Sequence, residues 1–236
     1  MEDKIAADVE KFRDTLISSH IGNQILKIIW FGSTLKGDSQ RDSDVDILII
    51  TADGEDVRRE IADVLLDVQM KTRAPIEITT SSIDDLYPLS DYFLQNVLSY
   101  GKEVFSMSEE KLKISAARHY LALAQEYLQS SQDAISSNHY RLGLDGAYNA
   151  AELAVKGLLL IKIPDLPGSH GGIAQRFGEL YIKTGELDRI LGRKLNQALD
   201  LRNQARYKYT ARISKDDAQS VYELATELIN ILENSL

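Results

Sequence analysis

The sequence predicts two architectures in series: a small α/β (α+β) domain with a mixed sheet over residues 1–106, then an all-α helical bundle over residues 107–236. Three observations predict this. Short β-branched runs, Ile25–Phe31 and Val45–Thr51, stand among amphipathic helices in the first part. Beyond residue 108, helical periodicity runs almost unbroken to the end. The charge also changes there. Residues 1–108 hold 11 Lys and Arg against 20 Asp and Glu, a balance of −9, whereas residues 109–236 hold 16 of each.

Each element has a local reason. Ile5, Val9, Phe12 and Leu16 recur at helical spacing, and Gly22-Asn23 stops that helix. ILKIIWF (25–31) and VDILIIT (45–51) have strand length and β-branched content. A helix is expected over Glu55–Lys71, with Val57, Ile61, Val64, Leu65 and Val68 as its apolar stripe. PIEITT (75–80) is a third strand, Leu86–Tyr100 a helix, and Glu103–Phe105 a short edge strand. Ser106 and Glu109 have capping-box spacing at the boundary, and Ser108 stands at a similar position. Helices are expected near 108–136, 139–162, 171–183, 187–209 and 215–235. Pro164 and Pro167-Gly168 separate the second from the third, and Ser214 to Asp217 forms a capping box on the last. Ala147–Leu160 is small or apolar nearly all round, which predicts the central helix of the bundle.

Composition narrows the function. With 236 residues, 44% apolar and 27% charged, the chain can bury a substantial core. The absence of cysteine removes disulfides, thiolate metal sites and cysteine nucleophiles, and leans toward a reducing, cytoplasmic setting. The charged start, MEDKIAADVEKF, has no apolar h-region, so no secretory signal is expected. The apolar runs are too short to cross a bilayer, so no membrane partner is expected. The acidic first half is not a surface built to track a phosphate backbone, so nucleic acid is not an expected partner. A single nucleotide remains compatible if metal ions supply positive charge.

The stretch that carries chemistry is Gly32-Ser33-Thr-Leu-Lys36-Gly37-Asp-Ser-Gln-Arg41-Asp-Ser43-Asp44-Val45-Asp46. Asp44 and Asp46 stand two apart at the start of a strand, so their carboxylates project from one face. The apolar ILII that follows places them at the edge of a core, where two acids repel and raise each other's pKa. A divalent cation is the usual compensation, and Mg²⁺ is commonly held by one or two carboxylates plus substrate phosphates. Upstream, Gly32 lets the backbone approach a ligand closely. A helix starting at Ser33 would offer free N–H groups and a hydroxyl to a phosphate, with Lys36 and Arg41 nearby. One end of the loop thus suits a triphosphate and the other the bridging metal, an arrangement for phosphoryl or nucleotidyl transfer.

The spacing G-S-x₃-G-x₅-S-D-x-D resembles the signature of the DNA polymerase β-like nucleotidyltransferases, in the minimal branch that also includes relatives of kanamycin nucleotidyltransferase. Leu35 stands where that branch often has alanine. The resemblance implies Asp44 and Asp46 as catalytic metal ligands, and Gly32, Ser33, Lys36, Arg41 and Ser43 as nucleotide-binding residues. It implies a third carboxylate on a later strand, as metal ligand or general base. Glu77, in PIEITT, is the candidate, although the family more often has aspartate there. The cofactor implied is Mg²⁺, in a two-metal site, with ATP or another NTP as substrate.

The second half resembles a HEPN domain, a helical partner that often accompanies minimal nucleotidyltransferases. The resembling stretches are Tyr148-Asn-Ala-Ala-Glu152-Leu-Ala-Val-Lys156-Gly and Leu201-Arg202-Asn-Gln-Ala-Arg206-Tyr207-Lys-Tyr209. Ribonuclease members of that group carry R-x₄₋₆-H. Here Arg202 is followed by no histidine, and Tyr207 takes the x₄ slot, so ribonuclease activity is not expected. Tyr209 falls where some toxin-like members carry a tyrosine that a partner nucleotidyltransferase modifies. Arg189, Arg193, Lys194, Arg202, Arg206, Lys208, Arg212 and Lys215 read as a solvated basic face, with the wall of an anion-binding cleft as the alternative. His119, His139 and His170 read as cap or surface residues.

The expected activity is metal-dependent transfer of NMP, from ATP or another NTP, to an acceptor hydroxyl with release of pyrophosphate. The acceptor is a small molecule or a protein, and a homodimer is compatible with similar enzymes. The alternative is a fused regulatory pair of toxin–antitoxin type that transfers AMP to a protein tyrosine.

Overall fold

The structure, a computed structural model, describes residues 2–36, 44–52, 56–89, 91–163 and 165–236. They form two compact units, Met1–Leu112 and Lys113–Leu236. In chain order the first unit contains α1 (Glu2–Ile17), β1 (Ile25–Phe31), α2 (Ser33–Lys36), β2 (Val45–Thr51), α3 (Asp56–Thr72), β3 (Ile76–Ser82), α4 (Tyr92–Tyr100) and β4 (Lys102–Ser106). Then come α5 (Glu109–Ser136), α6 (Tyr140–Lys162), α7 (His170–Phe177), α8 (Arg189–Tyr207) and α9 (Lys215–Glu233).

The sheet has strand order β3-β2-β1-β4. β1 is antiparallel to β2 and β4, and β2 is parallel to β3, so the sheet is mixed as expected. Alternation along the strands sorts the side chains. Ile28 opposes Ile49 and Trp30 opposes Ile47 on one face. These four pack into one core with Val9, Phe12 and Leu16 of α1 and Val57, Ile61 and Val68 of α3. The other face carries the pairs Ile29–Leu48, Phe31–Asp46, Asp46–Glu77 and Leu48–Thr79. α4 sits on this second face, where the Phe93 ring meets Phe31 edge-on at 5.6 Å.

Two boundaries differ from expectation for local reasons. The helix expected over Leu86–Tyr100 starts only at Tyr92. Pro88 lacks the N–H that a helix interior needs, and the Asp91 side chain caps the new start by accepting from the Leu94 N–H at 2.8 Å. Ser106 is not the cap at the head of α5: it ends β4, and Ser108 Oγ accepts from the Lys111 N–H at 3.4 Å instead.

In the second unit α6 is the central helix, as its composition predicts. Ala147, Tyr148, Ala150, Ala151, Ala154, Val155 and Leu158 are all buried. Small residues let neighbours approach closely. A Cβ on Gly157 would stand 2.6 Å from Leu232 Cδ2 of α9 and 3.4 Å from the Ala117 carbonyl of α5. The third helix of the bundle is shorter than expected and continues as one π turn over Gly178–Ile182, which Tyr181 anchors by donating to the Leu158 carbonyl at 2.6 Å. The Ser214–Asp217 capping box opens α9 with both of its hydrogen bonds made. Among the described residues no helix is long and apolar enough to cross a membrane.

Candidate functional site

At one end of the sheet, β1 delivers Gly32 and β2 delivers Asp44 and Asp46. Gly32 has φ +83°, a left-handed conformation that turns the chain out of β1 and into α2. The turn brings its Cα against Asp46, so that a Cβ there would lie 1.9 Å from Asp46 Oδ2. Only glycine fits both requirements. Trp30 Nε1–H donates to Thr34 Oγ1 at 3.0 Å, a buried bond that ties the start of α2 back onto β1. Ser33 is the first helical residue, exposed at the mouth of this turn.

Asp44 is exposed just before β2, and Asp46 is half-buried within it. Burial raises the Asp46 pKa above the ordinary aspartate value, and the charge of Asp44 raises it further. Among the described residues no lysine or arginine pairs with either acid. Glu77 is the register partner of Asp46 on β3, and parallel neighbours share a face. It is exposed, while Ile76 beside it is buried. Among the described residues no three His, Asp or Glu side chains converge closely enough to form a metal site of their own. The donor set that remains is the Asp44/Asp46 pair, which suits a hard cation completed by substrate phosphates and water. Arg41 and Ser43, and the side chain of Lys36, lie outside the described residues.

The second unit holds a polar centre that sequence reasoning did not assemble. Glu152, in the middle of the Ala-rich helix α6, is buried. Its Oε2 accepts from the Tyr148 hydroxyl at 3.0 Å and pairs with His170 Nδ1, and its Oε1 meets Lys156 Nζ at 3.0 Å. Burial works against the charge on Glu152, but His170 and Lys156 together outweigh it and lower the pKa below the ordinary value of 4.5. Burial, with Glu152 adding to it, pushes the Tyr148 hydroxyl well above the ordinary tyrosine range. His170 is therefore neither a cap nor a plain surface residue. It is the first residue of α7, and its contact with Glu152 spans eighteen positions of sequence.

The linkage has a definite sign. A carboxylate whose folded pKa is lowered stabilises the fold above its unfolded value and loses that contribution as pH falls through the folded value. Thermal melts of wild type should therefore fall more steeply below pH 4.5 than those of Glu152→Gln. Parallel curves would show that Glu152 carries no acid-sensitive stability.

Arg202 departs from the expected basic face. It is 2% exposed, whereas Arg189, Arg193, Lys194, Arg206, Lys208, Arg212 and Lys215 are exposed. Its guanidinium lies over the Tyr148 ring at 5.9 Å and the Tyr207 ring at 5.6 Å, and Nη1 donates to Asn203 Oδ1 at 3.2 Å. Its Nε stands 3.6 Å from Asp145 Oδ1, too far for a hydrogen bond. Tyr207, in the slot where the ribonuclease pattern has histidine, thus packs on the arginine of that pattern. Arg141 of α6 donates to the carbonyls of Gln204, Ala205, Lys208 and Ala211, the end of α8 and the loop after it. These bonds cross more than sixty positions of sequence, and no local pattern announces them.

Residues 117–235 match the family described as HEPN domain. The chain belongs to the HEPN family. Residues 14–110 match the family described as Polymerase beta, Nucleotidyltransferase, so the chain joins a nucleotidyltransferase domain to a HEPN domain. Two proteins of Methanocaldococcus jannaschii are similar to parts of it. One, named "Putative toxin MJ0142", is 34% identical over 84 residues, which are 36% of this chain and 56% of that protein. The other, named "Putative toxin MJ0605", is 29% identical over 97 residues, 41% of this chain and 71% of that protein. The chain thus spans little more than half the length of the first. A solved structure of spectinomycin adenyltransferase from Enterococcus faecialis, with ATP and spectinomycin, aligns over 94% of this chain and 98% of its own, at 12% identity and a TM-score of 0.34. At that level of likeness it carries no argument. The nucleotidyltransferase match takes in Gly32, Asp44, Asp46 and Glu77, and the HEPN match takes in Tyr148, Glu152, His170 and Arg202.

Proposed function

We propose that the nucleotidyltransferase unit binds a nucleoside triphosphate with Mg²⁺ and transfers its NMP group, AMP when ATP is the donor, to an acceptor hydroxyl. The observation that carries this reading is the Asp46 carboxylate. It is packed against the Cα of Gly32, raised in pKa by burial and by Asp44, and paired with no cation among the described residues. A bound divalent cation would relieve both costs. When bound, Mg²⁺ would neutralise charge on the phosphates and stabilise the attacking and leaving oxygens. Asp44 and Asp46 would hold it. Gly32 leaves room for the Asp46 carboxylate, and Ser33 would offer the phosphates its backbone N–H and hydroxyl at the start of α2. Glu77, in register with Asp46, would accept the proton of the acceptor hydroxyl or hold a second ion. Lys36, Arg41 and Ser43 are assigned to the nucleotide by the motif alone.

Calorimetric titration of ATP with Mg²⁺ tests this. Wild type should bind, and Asp44→Ala/Asp46→Ala should lose the metal-dependent part of the binding. Equal binding with and without Mg²⁺ in both proteins would overturn the metal role.

Two observations favour a second reading, in which the chain is a fused regulatory pair and the acceptor is a protein tyrosine. Tyr209 is 95% exposed just beyond α8, and the similar archaeal proteins carry the name of toxins. An AMP adduct on Tyr209 after incubation with ATP would support it.

A further inference from the structure

Glu152 gives His170 a chemical character that its sequence context does not suggest. A carboxylate only accepts hydrogen bonds, so the His170 Nδ1 that touches it carries a proton. In the neutral ring the lone pair is then on Nε2. Among the described residues Nε2 has no hydrogen-bond partner, and the side chain is 42% exposed. The ring is also held from the side. Tyr148 meets it edge-on, with centroids 5.9 Å apart and planes at 71°, and the Tyr148 hydroxyl shares the Glu152 oxygen that holds Nδ1. An imidazole with one nitrogen anchored to a buried carboxylate and the other open is oriented for nucleophilic attack. Lys156 Nζ, on the other oxygen of Glu152, offsets the charge of that carboxylate, and the amino end of α7 begins at His170 itself, where the helix dipole favours a negatively charged group.

We propose that Nε2 of His170 accepts an NMP group from a nucleoside triphosphate, so that the chain carries a nucleotidyl-histidine. The donor rests on the nucleotide reading of the first unit. The Nε2 lone pair attacks the α-phosphorus and an N–P bond forms. The bond from that phosphorus to the bridging oxygen breaks, and pyrophosphate leaves with the electron pair. The ring becomes cationic, and its Nδ1 proton stays in the hydrogen bond to Glu152, whose negative charge balances it. The product is a phosphoramidate, which dilute acid hydrolyses, whereas a tyrosyl or seryl ester survives.

The test uses the full chain with ATP and Mg²⁺, read by intact mass before and after acid, by peptide mapping and by pyrophosphate release. An acid-labile AMP adduct on His170, lost in His170→Asn and kept in Tyr209→Phe, is the expected result. His170→Asn alters a half-exposed side chain, and its helicity is checked alongside. Pyrophosphate release with no adduct on His170 overturns the inference and leaves the nucleotidyl reading standing. Absence of pyrophosphate release under every condition overturns the nucleotidyl reading, and a small donor then decides the rest. Potassium phosphoramidate should phosphorylate His170 faster than His20 or His139, with the preference lost in Glu152→Gln. Equal labelling of the three histidines sinks the proposal.

Discussion

Gly32→Ala should abolish nucleotidyl transfer and cost the first unit about 1–3 kcal/mol of stability. The cause is double. At φ +83° a Cβ is strained whatever space surrounds it, and here it would stand 1.9 Å from Asp46 Oδ2, 2.8 Å from Cγ and 3.1 Å from Cβ. Aspartate is too short to swing its carboxylate away while its own Cβ is engaged. Either the turn opens, and Ser33 leaves its place at the head of α2, or Asp46 changes rotamer and no longer stands with Asp44. Both outcomes remove a ligand from the proposed site. Steady-state pyrophosphate release and a thermal melt check the two parts together. A variant that melts like wild type and retains full turnover would show that the close approach of Gly32 to Asp46 serves neither fold nor chemistry. Asp46→Asn separates the charge from the packing, because the amide keeps the shape and loses the negative charge. It should bind far less Mg²⁺ while melting at or above the wild-type temperature, since it relieves a carboxylate that burial and Asp44 both disfavour.

Arg141→Met should destabilise the HEPN unit by about 2–3 kcal/mol and loosen the end of α8. Among the described residues Arg141 reaches the carbonyls of Gln204, Ala205, Lys208 and Ala211 together, the last two at the point where the helix has ended. A helix end leaves carbonyls without partners, and a cation there meets both their hydrogen-bonding need and the negative end of the helix dipole. Methionine keeps much of the apolar stem and removes the guanidinium. Hydrogen exchange should accelerate over residues 204–211 and stay unchanged in α6. Tyr207, which rests on Arg202, should become more mobile, and its fluorescence should respond less to Arg202→Met in this background. Unchanged exchange over 204–211 would show that the loop is held by something else.

Much of the nucleotidyltransferase unit was legible in the sequence because its signals are local. Strand length, β-branched runs and the period of α1 and α3 each lie within one segment. The Asp44/Asp46 pair and Gly32-Ser33 also belong to one fifteen-residue stretch, so the chemistry they suggest needs no knowledge of distant neighbours. The start of α4 was misplaced because a stretch of helical periodicity hid what Pro88 does to it. The central helix of the bundle was visible because a helix that is small and apolar all round can only be buried. The capping box at Ser214 was visible because both its members lie within four residues.

The composition and local order of this chain thus determined its two architectures, the acidic character of the first half, the stretch that bears the Gly32-Ser33 and Asp44/Asp46 motif and the identity of the helix at the centre of the second half. Tertiary structure alone decided which polar residues meet. Glu152 found His170, Arg202 was drawn inside between Tyr148 and Tyr207, and Arg141 closed the end of α8. It also decided that Gly32 lies against Asp46 and that Glu77 stands beside it in register. The physical reason is range. Backbone preference and hydrophobic period act over a few residues and can be read in order along the chain. The pairing of a buried charge depends on which distant side chain the packed helices and strands bring within about 3 Å, and that distance exists only after folding.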